Sequence, residues 1–153
     1  MENIRKAAIA SVLASARELL DNELRWTQGS PAKHGIHTCA IRDPAATCFS
    51  VYGAIAKCAF QIGDENADLH RRMDYYVELI WQANYRMQMA VRKNGQTCDS
   101  IETWNDAATH DDILDALDAA INDLLVEANL TVGGSNTVAV FDNAIEALNG
   151  DKA

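Results

Sequence analysis

Three places in the sequence gather side chains whose types and spacing could do chemistry. The densest is Glu102-Thr-Trp-Asn-Asp-Ala-Ala-Thr-His-Asp-Asp-Ile113. There Asp106 could act as a general base, or Asp106, Asp111 and Asp112 could offer oxygen ligands to a divalent ion. The second is His34-Gly-Ile-His37-Thr-Cys39, where imidazole and thiolate groups suited to zinc stand at short spacing. The third is Cys48, a few residues after Asp43-Pro44. Near the start of a helix its thiol would be acidified by the helix dipole. With His34, His37 or His110 as base it would be a nucleophile.

Each place also has a structural reading, and that reading accounts for more of the residues. Thr109-His-Asp-Asp112 fits a capping box, in which a hydroxyl and an acid three residues on satisfy each other's backbone amides. Asp111 and Asp112 then sit where the helix dipole favours negative charge, by about 0.3–1 kcal/mol each. Asn105 and Asp106 are turn formers, and Trp104 would lie across the helix entry and cover the core. A calcium loop would need a glycine-turned acidic run, which is missing. Zinc wants two close pairs of ligands, and His34, His37 and Cys39 have no second pair. Cys48 fits a small buried residue on an apolar helix. The sequence has no G-x-G-x-x-G, P-loop, G-x-S-x-G or H-E-x-x-H. We therefore assign no catalytic residue, metal or cofactor. Cys48, His37 and Asp106 are the candidates if a reaction exists, and His34, His37 and Cys39 if a metal does. For binding, the candidates are Trp104, Asn105 and Asp106, with the acidic face Asp111, Asp115 and Asp118.

The elements that must position these groups read as helices almost throughout, so the expected fold is an all-α, single-domain bundle of about five helices. A first helix is expected from Glu2 to Leu24, with Ile9, Val12, Leu13, Ala16, Leu19, Leu20 and Leu24 inward. A loop follows over Trp26–Arg42, with a short extended piece at Ile36–Ile41. Asp43-Pro44 reads as a helix start, opening an apolar helix to Ile62 in which Gly53 and Ala54 admit a neighbouring backbone. Gly63-Asp64 ends it. A long central helix is expected from Glu65 to Lys93. Its seam is Leu69, Met73, Tyr76, Ile80, Ala83, Met87 and Ala90, while Tyr75, Leu79, Trp81, Tyr85 and Met89 lie off the seam on a second apolar face. That second face suits a homodimer. Helices over Asp111–Ala128 and Asn136–Leu148, with a loop at Thr131–Ser135, complete the chain.

Charge is distributed unevenly. Residues 1–98 hold 12 Lys/Arg against 10 Asp/Glu, a balance of +2; residues 99–153 hold 12 Asp/Glu against Lys152, a balance of −11. Phosphate neutralisation needs clustered Lys and Arg, so a nucleic-acid partner is not expected. The acidic third instead suits a basic protein partner, or the basic part of the same chain. No run approaches the roughly 20 apolar residues of a membrane span. The N-terminus shows no signal-peptide pattern, so a cytoplasmic protein with reduced thiols is expected.

Two stretches carry a resemblance. Ala45-Ala-Thr-Cys48 running into Tyr52-Gly53-Ala54-Ile55, and Trp104-Asn105-Asp106 ahead of Thr109, Ile113 and Leu117-Asp-Ala-Ala-Ile121, resemble an uncharacterised family of small bacterial and bacteriophage proteins. Members of that family carry a C-x-x-x-G-A-like helix and a W-N-D motif before an amphipathic helix. Here the first element is spaced Cys48-x4-Gly53-Ala54. Trp26-Thr-Gln-Gly29 resembles the family's W-x-Q-G region. The likeness covers about residues 15–121. It implies a phage or mobile-element setting but no activity or catalytic residue. The expected function is a non-enzymatic binding or accessory protein. The alternatives are a small Cys/His-dependent or metal-assisted enzyme using Cys48 and the Trp104–Asp106 region, and a phage assembly component.

Overall fold

The computed structural model describes residues 2–66 and 72–128, with side chains described for 6–62 and 76–128. The helix expected over Asn136–Leu148 and the loop at Thr131–Ser135 lie outside these residues. The order is α1 (Glu2–Leu20), a 3-10 turn (Glu23–Arg25), β1 (Ala32–His34), β2 (His37–Thr38), β3 (Cys48–Phe49), α2 (Val51–Asn66), α3 (Arg72–Lys93), α4 (Ile101–Ala107) and α5 (His110–Glu127).

The architecture is mostly helical, but the all-α expectation is corrected by a small antiparallel sheet of order β2-β1-β3. Lys33 pairs with Thr38 and His34 with His37, while Ala32 pairs with Phe49. Short strands with few alternating residues leave almost no periodic signal, so only the extended character near Ile36–Ile41 was legible.

The sheet also explains why the second helix starts late. Thr47 to Phe49 are drawn into extended pairing with β1, so Cys48 lies in a strand and away from any helix start. Asp43 makes a turn instead, its carboxylate accepting from Ala45 N–H at 2.9 Å and its carbonyl from Ala46 N–H at 3.0 Å. The hydroxyl that opens α2 is that of Ser50, which accepts from Gly53 N–H at 3.1 Å. The helix then continues through Gly63-Asp64 to Asn66. Gly53 is needed where it stands: a Cβ there would lie 1.8 Å from the Pro31 carbonyl oxygen, so α2 rests directly on the backbone leading into β1.

The core centres on α1, which packs against α2, α3 and α5. Val12, Leu13, Ala16 and Leu20 are wholly buried, at three- and four-residue steps. A fully buried Val or Leu stabilises by about 1.5–3 kcal/mol. The helix stops at Leu20 rather than Leu24. Asn22 accepts from Leu24 N–H and starts a 3-10 turn, leaving Leu24 exposed. Tyr76, Ala83, Met87 and Ala90 of the expected α3 seam are buried, whereas Val77, Trp81, Tyr85 and Met89 are exposed. The longest helix is therefore a wall of the bundle with one open face, rather than its centre.

Candidate functional site

Ser100 caps α4, its hydroxyl accepting from Thr103 N–H at 3.1 Å. Trp104, Asn105 and Asp106 are thus helical rather than turn residues, and the dense stretch contains a short helix followed by the start of another. The Thr109 capping box forms as expected: Asp112 N–H donates to Thr109 Oγ1 at 3.2 Å and Thr109 N–H to Asp112 Oδ2 at 3.1 Å.

Asn105 is fully buried, and both its amide oxygen and its amide nitrogen are engaged. Its Oδ1 accepts from Trp26 Nε1–H at 2.9 Å and from Val51 N–H at 3.1 Å, while its Nδ2 donates to the Thr27 carbonyl at 3.0 Å. Asp106 Oδ1 accepts from Gly29 N–H at 2.8 Å, and Gly29 holds a φ of 86° that side chains rarely adopt. Gln28 Nε2 reaches the carbonyls of Asn105, Asp106 and Ala108 at 3.0–3.1 Å, taking up acceptors freed at the end of α4. Trp104 is buried and donates from Nε1 to Gln96 Oε1 at 2.9 Å. Trp26-Thr-Gln-Gly29 and Trp104-Asn-Asp106 are therefore each other's hydrogen-bond partners. Together they tie the loop after α1, the start of α2 and α4 into one polar lock.

A family of unknown function, DUF6197, matches residues 5–123. The chain belongs to DUF6197. No curated protein matches the chain, and no solved structure does. The DUF6197 match takes in both halves of the polar lock and most of α5.

The catalytic candidates each have surroundings of their own. Cys48 is buried, with its Sγ 3.8 Å from the Lys33 carbonyl oxygen. Asp106 is engaged by Gly29, and His37 is exposed on the hairpin. His110 Nε2 donates to the Leu20 carbonyl at 2.6 Å and so pins α5 to the end of α1. His34 and His37 are cross-strand neighbours, but His34 Nδ1 donates to the Ala45 carbonyl at 2.8 Å. Among the described residues no three His, Cys, Asp or Glu side chains are grouped to hold a metal ion. Burial pushes the Cys39 and Cys98 thiols up, and that of Cys58 up to about 12.

The acidic face of α5 is partly neutralised within the chain. Asp118 takes a hydrogen bond from Arg17 Nε at 2.8 Å, which raises the guanidinium's pKa and holds its charge. Asp123 pairs with Lys93 at 3.4 Å, and Glu127 with Arg86 at 2.7 Å and Lys6 at 3.8 Å. The Arg86 contact lowers the Glu127 pKa. Asp111 and Asp115 are exposed. Among the described residues no helix is long and apolar enough to cross a membrane.

What the sequence reading missed is the cleft beside α3. Trp81 and Tyr85 stack with centroids 5.5 Å apart and planes within 2°. They edge a cleft of about 620 Å³ between α3, α4 and the start of α2, lined also by Tyr52, Asn84, Asp99 and Glu102. The off-seam aromatics were the only signal of it in the sequence.

Proposed function

We propose that the protein is a non-enzymatic binding or accessory protein that works as a homodimer through α3. The phage or mobile-element setting implied by the motif resemblance is part of this reading. One observation carries it: Val77, Trp81, Tyr85 and Met89 are 62%, 59%, 45% and 46% exposed along one helix, a patch too apolar and too continuous for an idle surface.

The occupant best suited to that face is a second copy. Trp81 and Met89 stand four residues on either side of Tyr85, and Glu78 and Arg92 stand seven residues on either side. In an antiparallel pairing about Tyr85, Trp81 meets Met89 of the other copy and Glu78 meets its Arg92. The face is then self-complementary in shape and charge, as an isologous two-fold interface requires. On the acidic face of α5, exposed Asp111 and Asp115 are the groups offered to a basic protein partner.

Sedimentation equilibrium of the whole chain tests the dimer. A mass of twice the 16.7 kDa chain is expected, falling to one chain in M89E and in E78R, and returning in the charge-swapped E78R/R92E. A wild-type monomer at tens of micromolar, or an E78R/R92E variant no better than E78R, would count against it.

A further inference from the structure

The cleft beside α3 shares Val77, Trp81 and Tyr85 with the proposed dimer face and adds Tyr52 of α2 and Glu102 of α4. Its volume, about 620 Å³, suits a small organic molecule. Ile80 and Ile101 give it an apolar wall, and Tyr52, Trp81 and Tyr85 bring aromatic rings to it. The two amide side chains on its lining have their donors turned elsewhere. Asn84 Nδ2 donates to the Ile80 carbonyl at 2.9 Å, and Gln88 Nε2 to the carbonyls of Cys98 and Asp99 at 3.3 and 3.1 Å. Asn84 Oδ1 is buried with no partner among the described residues.

Glu102 completes the pattern. Its half-buried carboxylate accepts from the Ser50 hydroxyl at 2.7 Å, a contact that fixes its orientation. No Lys, Arg or His appears among the described residues lining the cleft, which holds a second acid in Asp99. Burial, with the like charge of Asp106 adding to it, raises the Glu102 pKa against the pull of its hydrogen bonds. The site therefore presents a carboxylate with no cation among the described lining residues, together with π-faces, both of which attract positive charge.

We propose that this cleft binds a small organic cation, an ammonium head on a short apolar stem, with the head between the Glu102 carboxylate and the Trp81–Tyr85 rings. The proposal goes beyond dimerisation but shares residues with it: Val77, Trp81 and Tyr85 of the dimer face line the cleft, whereas Met89 does not, so M89E separates the two readings.

Isothermal titration of the full chain with choline, and with its uncharged isostere 3,3-dimethyl-1-butanol, tests it. Choline should bind at least tenfold tighter than the alcohol. E102Q should weaken choline binding at least tenfold, and so should W81A, whose exposed side chain can be removed with the fold intact. Choline binding should persist in M89E whether or not that variant changes the oligomeric state. No heat from choline at tens of millimolar, equal binding of the alcohol, or unchanged binding in both E102Q and W81A would overturn the assignment. So would loss of binding in M89E alone.

Discussion

The indole N–H of Trp26 donates to Asn105 Oδ1 at 2.9 Å across 79 residues of sequence, and the same oxygen accepts from Val51 N–H at the start of α2. One amide thus fastens three segments that are not neighbours in the chain. Replacing it with alanine leaves two N–H donors and the Thr27 carbonyl without their partner. Each buried group left unpaired costs about 1–3 kcal/mol. N105A should therefore lower stability by about 3 kcal/mol or more in urea unfolding. D106A, which removes a single exposed contact to Gly29, should cost about 1 kcal/mol and leave the oligomeric state unchanged. If D106A folded normally and yet abolished association, the lock would be a functional surface and not a fold determinant.

Gly53 gives a second stability test. Alanine is favoured over glycine in a helix by about 1 kcal/mol, but a Cβ at this position would meet the Pro31 carbonyl. Overpacking against backbone costs about 1–3 kcal/mol or more, so G53A should be destabilised in thermal unfolding. A stabilised G53A would show that α2 does not rest on Pro31.

The pH dependence has a defined sign at Glu102. Its native pKa is raised above the unfolded value of 4.5, so the native state holds this proton more tightly. The stabilisation from that proton is present below 4.5 and is lost as pH rises through the raised native value. The stability of E102Q relative to wild type should therefore increase from acid to neutral pH. Glu127 behaves in the opposite sense: its pKa is lowered by Arg86, so its contribution fades as pH falls through the native value. A difference between E102Q and wild type that stays flat with pH would contradict the burial of the carboxylate.

Thiol accessibility separates a structural Cys48 from a catalytic one. In the folded protein at pH 8, iodoacetamide should label half-exposed Cys39 first. Buried Cys48 and Cys58, the latter with its thiol pushed up to about 12, should react only on denaturation. Rapid labelling of native Cys48, read by peptide mass spectrometry, would revive the enzymatic reading.

How much of this was legible in the residues follows from range. Periodic and local signals were readable: the buried stripe of α1, the Thr109–Asp112 cap, and Gly53 as a place of close approach. The Asp43-Pro44 start signal misled because strand pairing with β1, a long-range contact, outcompeted a local helix cap. The start of α2 was set instead by Ser50, which no local pattern distinguished. Asn105 and Asp106 looked like turn formers because their partners at 26–29 are far away in sequence. The Trp81 and Tyr85 face was visible as an excess of apolar residues, but the cleft beside it needed α4 and Tyr52 brought alongside.

The two-fold axis through Tyr85 can be tested by a single cross-linking measurement. Disulfide formation needs Cα atoms within about 7 Å. Two copies of Tyr85 on the axis meet that condition. Two copies of Val77 would stand sixteen residues apart along the paired helices, roughly 24 Å at 1.5 Å per residue. Under mild oxidation, Y85C should form a covalent dimer on non-reducing gels and V77C should not. Equal cross-linking of both, or none from Y85C, would contradict the antiparallel α3 dimer.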